Sequence, residues 1–361
     1  MNDARIATVM RNLGQMGLTQ TLVSDPWSVS YLIGYKTDPG ERFFALLLRE
    51  GKEPTLFLNR LFPSAEHTGA RVIGLSDTDD VIGLVAAEVD PAAELGVDKE
   101  LAARWLVPMM ERGTCAGYRL GSPAVDGARA IKDERERELM REASRMNDEA
   151  MSWLFSRVRE GVTEAEIAEG LLAEYRRLGA DDFSFPPIVS FGAHSADPHH
   201  SPDGTRLEHG QVVLFDVGCR ANGYCSDMTR TLFFGEPSER DREVYECVRR
   251  ANEAAEAIVR PGALFSEIDL TARRIIEDAG YGPYFTHRLG HQIGIQEHEP
   301  GDVSSTHDEP VEEGMIFSIE PGIYLPGEMG VRIEDLVIVT ANGCEVLNSY
   351  PKGITIFGSV L

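Results

Sequence analysis

The chain has 361 residues, 42% of them hydrophobic, enough to bury a full core and to form two domains. A formal net charge of -24 argues against nucleic acid or an anionic membrane surface as a partner. No apolar run reaches the roughly 18 residues of a membrane span, and Met1–Leu18 lacks the basic-then-apolar pattern of a secretion signal, so the expected location is the cytoplasm.

In chain order, Arg5–Met16 carries a helical pattern, and Thr21–Val23, Phe43–Arg49 and Thr55–Asn59 read as short strands. Val72–Ile73 and Leu95–Val97 follow as strands on either side of a helical stretch near Thr78–Val89. This alternation predicts a small α/β domain over residues 1–125. Neither GxGxxG nor a phosphate-loop pattern occurs, so a nucleotide has no evident cradle. The run GSPAVDG at Gly121–Gly127 reads as turn-rich, and Ala128–Phe155 as one long amphipathic helix with Met140, Ala143, Met146 and Ala150 facing inward. The domain boundary is placed there, leaving residues 126–361 as the second domain.

That second domain continues with Thr163–Leu178, opened by the capping pattern Thr163-Glu164-Ala165-Glu166. A strand and a loop bearing His194, His199 and His200 come next. The segment Leu214–Phe233 then reads as a hairpin, because Asn222-Gly223 tolerates the positive φ angles of a tight type I′ turn. A two-residue loop there puts Asp227 opposite Gly218 and makes Asp216 its diagonal neighbour, so two carboxylates project from one sheet face. Helices near Glu239–Val259 and Phe265–Ala279 follow, then THRLGHQIGIQEHEPGD with His287, His291 and His298. Its glycines disfavour the helix that an HExxH-type site needs, so strand and loop are expected. Last, a turn centred on Pro326-Gly327-Glu328 in Ile316–Val339 places Glu320 opposite Glu334. Hairpin, helices, hairpin hints at two related halves around one centre.

A single pair of aspartates on a hairpin is ordinarily a solvated surface feature. Two such pairs, set in apolar β-branched sequence, call for a cation between them. Cys115, Cys219, Cys225, Cys247 and Cys344 are odd in number and without CxxC spacing, which argues against disulfides or a thiolate zinc site; Cys219 and Cys225 read as small buried hydrophobes. Four carboxylates with a histidine suit Mn²⁺, Co²⁺ or Zn²⁺. Two such ions lower the pKa of a shared water toward ~7, and hydrolysis is the natural reaction.

The order Asp216, Asp227, His291, Glu320, Glu334, set in FDVGCRANGYCSDMTRT, HRLGHQIGIQEHE, SIEPGIY and GVRIED, resembles the pita-bread (M24-type) metallopeptidases: Xaa-Pro dipeptidase (prolidase), aminopeptidase P and methionine aminopeptidase. The resemblance covers the second domain, and the first is similar in size and position to the creatinase-type N-terminal domain of the prolidase and aminopeptidase P branch. It implies an α+β protein: a C-terminal pita-bread fold behind a smaller N-terminal α/β domain. It further implies two divalent ions per chain, Mn²⁺ before Co²⁺ or Zn²⁺. Asp216 and Asp227 hold one ion, His291 and Glu320 the other, with Asp227 and Glu334 bridging. Glu320 also takes the proton of the attacking water, His199 steadies the tetrahedral intermediate, and His298 touches the substrate carbonyl or its proline. Arg332 steadies the back of the site or serves as a structural ion pair.

The implied substrate is a small peptide with proline second, whose imide bond lacks an N–H and fits ordinary peptidases poorly. A dipeptidase also needs a cation for the product carboxylate, and no arginine directly follows His298. Arg42, in TDPGERFF, is the candidate, reaching over from a partner copy as N-domain loops do in related enzymes, hence an expected homodimer. The alternatives are an aminopeptidase P acting on longer peptides and a creatinase-like C–N hydrolase.

Overall fold

In the computed structural model, which describes residues 2–358, contacts divide the chain into two units, Met1–Arg129 and Ala130–Leu361. The first unit runs α1 (Asp3–Gln15), β1 (Gln20–Val23), α2 (Pro26–Ile33), β2 (Ala45–Arg49), β3 (Thr55–Asn59), β4 (Arg71–Leu75), α3 (Val81–Ala86), β5 (Glu94–Val97), α4 (Ala103–Glu111), β6 (Gly117–Leu120) and α5 (Ser122–Ala130). Its six strands form one mixed sheet in the order β4-β3-β2-β1-β5-β6. Leu22, Ala45, Leu47 and Phe57 pack from the sheet into one cluster with Ile82 and Val85 of α3 and Met109 of α4.

One element beyond the sequence reading and one departure from it have local causes. Helix α2, PWSVSYLI, has the β-branched and aromatic content of a strand. It is helical because Asp25 caps the N–H groups of Trp27 and Ser28, Pro26 opens the first turn and Gly34 closes the last with a φ of 73°. The run GSPAVDG is not a turn but the start of α5, where Pro123 lies near the helix start and its missing N–H is no loss. The predicted single helix over 128–155 is accordingly broken. The chain leaves the helix after Ala130, and α6 (Glu134–Phe155) restarts under a capping box of Asp133 and Glu136.

The second unit is built twice over. Its first half has α6, α7 (Glu164–Leu178), β7 (Asp182–Phe183), β8 (Ile188–Phe191) and a long hairpin of β9 (Gln211–Val217) and β10 (Cys219–Ala221) against β11 (Tyr224–Cys225) and β12 (Met228–Phe234). Its second half has α8 (Glu239–Ile258), α9 (Phe265–Asp278), β13 (Gly290–Gln292), β14 (Glu299–Val303) and a hairpin of β15 (Ile316–Ile319) and β16 (Gly322–Leu325) against β17 (Met329–Arg332) and β18 (Asp335–Thr340). β19 (Gly343–Val346) and β20 (Ile356–Phe357) complete the unit. Each helix pair packs on its own half: Leu154 and Leu171 with Val189 and Phe215 in one core, Val248 and Ile268 with Phe317 and Val337 in the other. A mixture of segregated helices and largely antiparallel sheets is the expected α+β arrangement.

Candidate metal centre

Asn222 and Gly223 have φ angles of 51° and 86°, the two positive values of a type I′ turn. From it the first hairpin keeps one register, Ala221 facing Tyr224 near the turn and Asp216 facing Thr229 further down. Between them the ladder is interrupted at Gly218 and Ser226–Asp227, where the strands pass from one sheet to another. A Cβ on Gly218 would lie 2.1 Å from Ser184 Oγ and from Ser226 O, so only glycine fits this crossing. The second hairpin behaves alike. Leu325 faces Met329 and Ile319 faces Asp335, with the interruption at Glu320–Pro321 and Ile333–Glu334.

Three of the four predicted carboxylates thus stand at breaks and the fourth, Asp216, one turn of the pleat away. Backbone groups released from the ladder bond across the unit instead: Glu334 N–H donates to Thr229 O, and Glu320 N–H to Leu289 O. The first of these links the two hairpins and brings their acidic side chains together. His291 arrives on β13, which can approach β15 because a Cβ on Gly290 would be 1.9 Å from Ser318 O. Its Nε2 lies 3.8 Å from Asp227 Oδ2 and 3.5 Å from Glu320 Oε1. Ligand atoms of Asp227, His291 and Glu334 lie within 4.8 Å of one another.

Hydrogen bonding and burial set the character of this cluster. His291 Nδ1 faces the carbonyl of Gln292 at 3.1 Å and therefore carries the proton, which leaves the Nε2 lone pair aimed at carboxylates. Burial, then His298, pushes His291 well below its ordinary pKa, so it is neutral. Burial and the neighbouring Glu334 and Asp216 push Asp227 well above the carboxylate range, and burial with Glu320 and Asp216 does the same to Glu334. Glu320 is pushed up to about 7, chiefly by burial. Asp216 Oδ1 and Asp227 Oδ1 are buried without a hydrogen-bond partner. Lone pairs converging on lone pairs, with two orphaned carboxylate oxygens among them, fit divalent cations.

Arg332, 2% exposed, donates to Asp216 Oδ2 at 2.5 Å, to Thr229 Oγ1 at 3.1 Å and to Tyr324 Oη at 2.7 Å. Tyr324 in turn meets His287 Nε2 at 2.9 Å. Burial and Arg332 hold His287 down to about 4, so it stays neutral and accepts that hydrogen bond. The cluster forms the floor of a cleft of about 1200 Å³. Phe185, Pro186, Pro187 and Ile188 form part of its wall, with His199, His298 and Arg288. His199 and His298 are both exposed, and the His298 ring stands edge-on to His291 at 4.0 Å between centroids. Arg42 lies in the first unit, where its guanidinium bonds both carboxylate oxygens of Asp77 at 3.0 and 3.2 Å and pairs with Glu41.

The sequence profile of metallopeptidase family M24 matches residues 138–341, and that of the creatinase/prolidase N-terminal domain matches residues 5–112. The chain belongs to metallopeptidase family M24. An uncharacterised peptidase of Staphylococcus aureus is 37% identical to this M24 protein over 357 residues, 96% of this chain and 99% of the relative. Among solved structures, the dipeptidase PepE of Mycobacterium ulcerans superposes with a TM-score of 0.94 at 33% identity, covering 99% of this chain and 98% of that one. A prolidase of Thermococcus sibiricus superposes with a TM-score of 0.92 at 32% identity, covering 99% of both. As an M24 metallopeptidase the protein is a metal-dependent hydrolase whose pita-bread domain follows a creatinase-type N-terminal domain in the chain.

Sequence reasoning brought the five metal-site candidates and Arg332 to this cleft of the M24 unit, along with His199 and His298. It missed Arg288, Tyr324 and Thr229. Arg288 was visible in HRLGH, one pleat position before a strand that carries a candidate ligand; Tyr324 stands in the same SIEPGIY run as Glu320.

Proposed function

We propose that this M24 peptidase hydrolyses the Xaa-Pro bond of dipeptides with two divalent ions, Mn²⁺ foremost. The observation that carries this reading is the neutral His291, its lone pair aimed at buried carboxylates on the floor of an open cleft. Asp216 and Asp227 would hold one ion and His291 and Glu320 the other, with Asp227 and Glu334 shared. When bound, such ions polarise a carbonyl and lower the pKa of water.

The chain's own residues supply the rest. Glu320 is 17% exposed at its side chain and opens onto the cleft, so it is the carboxylate placed to accept the proton of the attacking water. His199 and His298 stand at the same opening and offer N–H groups to the carbonyl oxygen as it gains charge, worth about 3 kcal/mol each. Arg332 fixes Asp216 and is itself fixed by Tyr324. Phe185, Pro186, Pro187 and Ile188 offer a dry surface to the proline ring and the first side chain.

Arg288 gives the dipeptide reading a cation within the cleft itself. It is half-buried and paired with Asp302 at 3.0 Å, and it supplies the charge that a product carboxylate requires. Arg42 from a partner copy is the other source. The likeness to the M. ulcerans dipeptidase and the T. sibiricus prolidase supports this reading. A cleft of about 1200 Å³ also admits a longer peptide, which keeps aminopeptidase P as the second reading. Turnover of Ala-Pro, Ala-Ala and Arg-Pro-Pro with added Mn²⁺ separates them. Ala-Pro should be cleaved at least ~10-fold faster than either, a discrimination of about 1.4 kcal/mol. Faster release of Arg from Arg-Pro-Pro would favour the second reading, and turnover that survives chelation would overturn both.

A further inference from the structure

Glu164 is the first residue of α7, and its side chain is fully buried. It takes no part in the capping box, which belongs to Thr163 and Glu166. Each carboxylate oxygen instead receives one backbone N–H and one imidazole. Oε1 accepts from Phe191 N at 2.8 Å and faces His194 Nδ1 at 3.1 Å. Oε2 accepts from Asp203 N at 3.2 Å and faces His200 Nε2 at 2.7 Å. One carboxylate therefore grips the segment 191–203 at its start, at two points within it and at its end.

The segment so held carries His199, and its Pro198, Ser201 and Pro202 line the cleft. Among the described residues His199 has a local tether alone, its N–H donating to Asp197 Oδ1 at 3.0 Å. Glu164, His194, His200 and Asp203 are also close enough to hold a cation. Yet both Glu164 oxygens are met by N–H donors at the positive end of a helix dipole, a poor place for a further positive ion. Imidazole protons fill the position instead. Both rings then donate to one carboxylate, which fixes their tautomers and holds them tilted at 37° with centroids 4.2 Å apart.

We infer that Glu164 is a positioning residue for hydrolysis: through His194, His200 and the two backbone N–H groups it holds the His199 segment at the height of the scissile carbonyl. This rests on the reading that His199 meets the substrate. A displacement of about 1 Å in such a group costs up to ~100-fold in rate. Glu164→Gln places an amide N–H₂ against an N–H donor and releases one side of the grip.

The test is a double-mutant cycle on Mn²⁺-loaded enzyme with Ala-Pro, combined with amide hydrogen exchange. Glu164→Gln should keep its metal content and a KM within about twofold of the parent, lose about 10- to 100-fold in kcat, and exchange faster across 192–203. His199→Ala should lose a similar factor, and the double variant no more than about threefold beyond either single, because the two act as one unit. His200→Ala should reproduce the loss, and His200→Gln, which keeps an N–H donor near Nε2, should restore kcat to within about threefold. Multiplying losses, or a His200→Gln variant no better than His200→Ala, would overturn the inference. If His199→Ala leaves kcat intact, the reading of His199 fails by itself. The grip is then judged on exchange, and unchanged protection of 192–203 in Glu164→Gln would overturn it. Should Glu164→Gln fold poorly, His200→Ala against His200→Gln carries the same decision.

Discussion

Glu334 and Asp335 are neighbours in the chain, yet they belong to two buried clusters that meet the cost of buried charge in opposite ways. Asp335 lies 2.6 Å from Arg230 and 2.8 Å from Lys352, and Lys352 also pairs with Glu256 at 2.7 Å. Burial pushes Asp335 up, but Arg230 and Lys352 outweigh it and hold the carboxyl below its usual range. Two carboxylates meet two cations, all from the chain. On the other side, among the described residues, Asp216, Asp227, Glu320 and Glu334 have Arg332 as their one cation in hydrogen-bond contact, through Asp216, and Asp227 and Glu334 are driven upward. The difference teaches where the fold supplies its own counter-charge and where it leaves that to ions from solution.

The sharpest way to break the comparison is to remove one carboxylate from each cluster. Glu334→Gln should abolish tight binding of the second equivalent of Mn²⁺ and lower kcat/KM by more than ~1000-fold, about 4 kcal/mol, measured by metal analysis and Ala-Pro turnover. A fully loaded, active variant would show that Glu334 is not a shared ligand. Asp335→Asn touches no proposed ligand side chain but leaves Arg230 and Lys352 facing a neutral group. It should cost about 3–5 kcal/mol in urea unfolding, with or without metal. Asp227→Asn should do the reverse in metal-free protein and raise its melting temperature, because like-charge repulsion is relieved. Equal signs for the two variants would refute the contrast.

A smaller effect appears in the pH dependence of the metal-free protein. Glu320, with a folded pKa of about 7 against an ordinary 4.5, holds its proton more tightly folded than unfolded. Its stabilisation is complete below about 4.5 and lost as pH rises through about 7; Asp227 and Glu334 act in the same direction. Below about 6.5 the depressed His287 and His291 work the other way, since they bind protons better unfolded. The informative window is therefore pH 6.5 to 8. Across it, metal-free protein should lose stability as pH rises, and saturating Mn²⁺ should flatten the slope down to the share of Glu256, which burial and Asp335 push up to about 7 away from the proposed ligands. A flat metal-free profile would mean that the front carboxylates repel one another less than their burial implies.

How much of this was legible in the sequence follows from how local each feature is. The hairpins were legible because Asn222-Gly223 and Pro326-Gly327-Glu328 fix register, and register fixes which residues face each other. Their interruption at the carboxylates was not, because it depends on bonds between hairpins such as Glu334 N–H to Thr229 O. The chain of Arg332, Tyr324 and His287 and the grip of Glu164 join side chains distant in sequence, and no periodicity announces them. GSPAVDG was misread although Pro123 is a usable helix-start signal, because glycine and proline content was weighed above position.

Thr229 offers the finest probe of the contrast, since it joins the front cluster to its one guanidinium. Fully buried and opposite Asp216 in the ladder, it donates through Oγ1 to Glu334 Oε2 at 2.7 Å and accepts from Arg332 Nε at 3.1 Å. Valine has nearly the same shape but neither bond, so Glu334 loses the contact that aims it and Arg332 Nε is left without an acceptor. If ions supply the missing charge, the loss should fall on their affinity. Thr229→Val should shift the Mn²⁺ activation midpoint about 10- to 100-fold higher, as removal of groups that orient ligands does, while kcat at saturating Mn²⁺ changes little and Thr229→Ser recovers the parent midpoint. A fall in kcat with no shift in midpoint would place Thr229 with the groups that act on substrate, and the aim of Glu334 would then be set by its backbone bond to Thr229 alone.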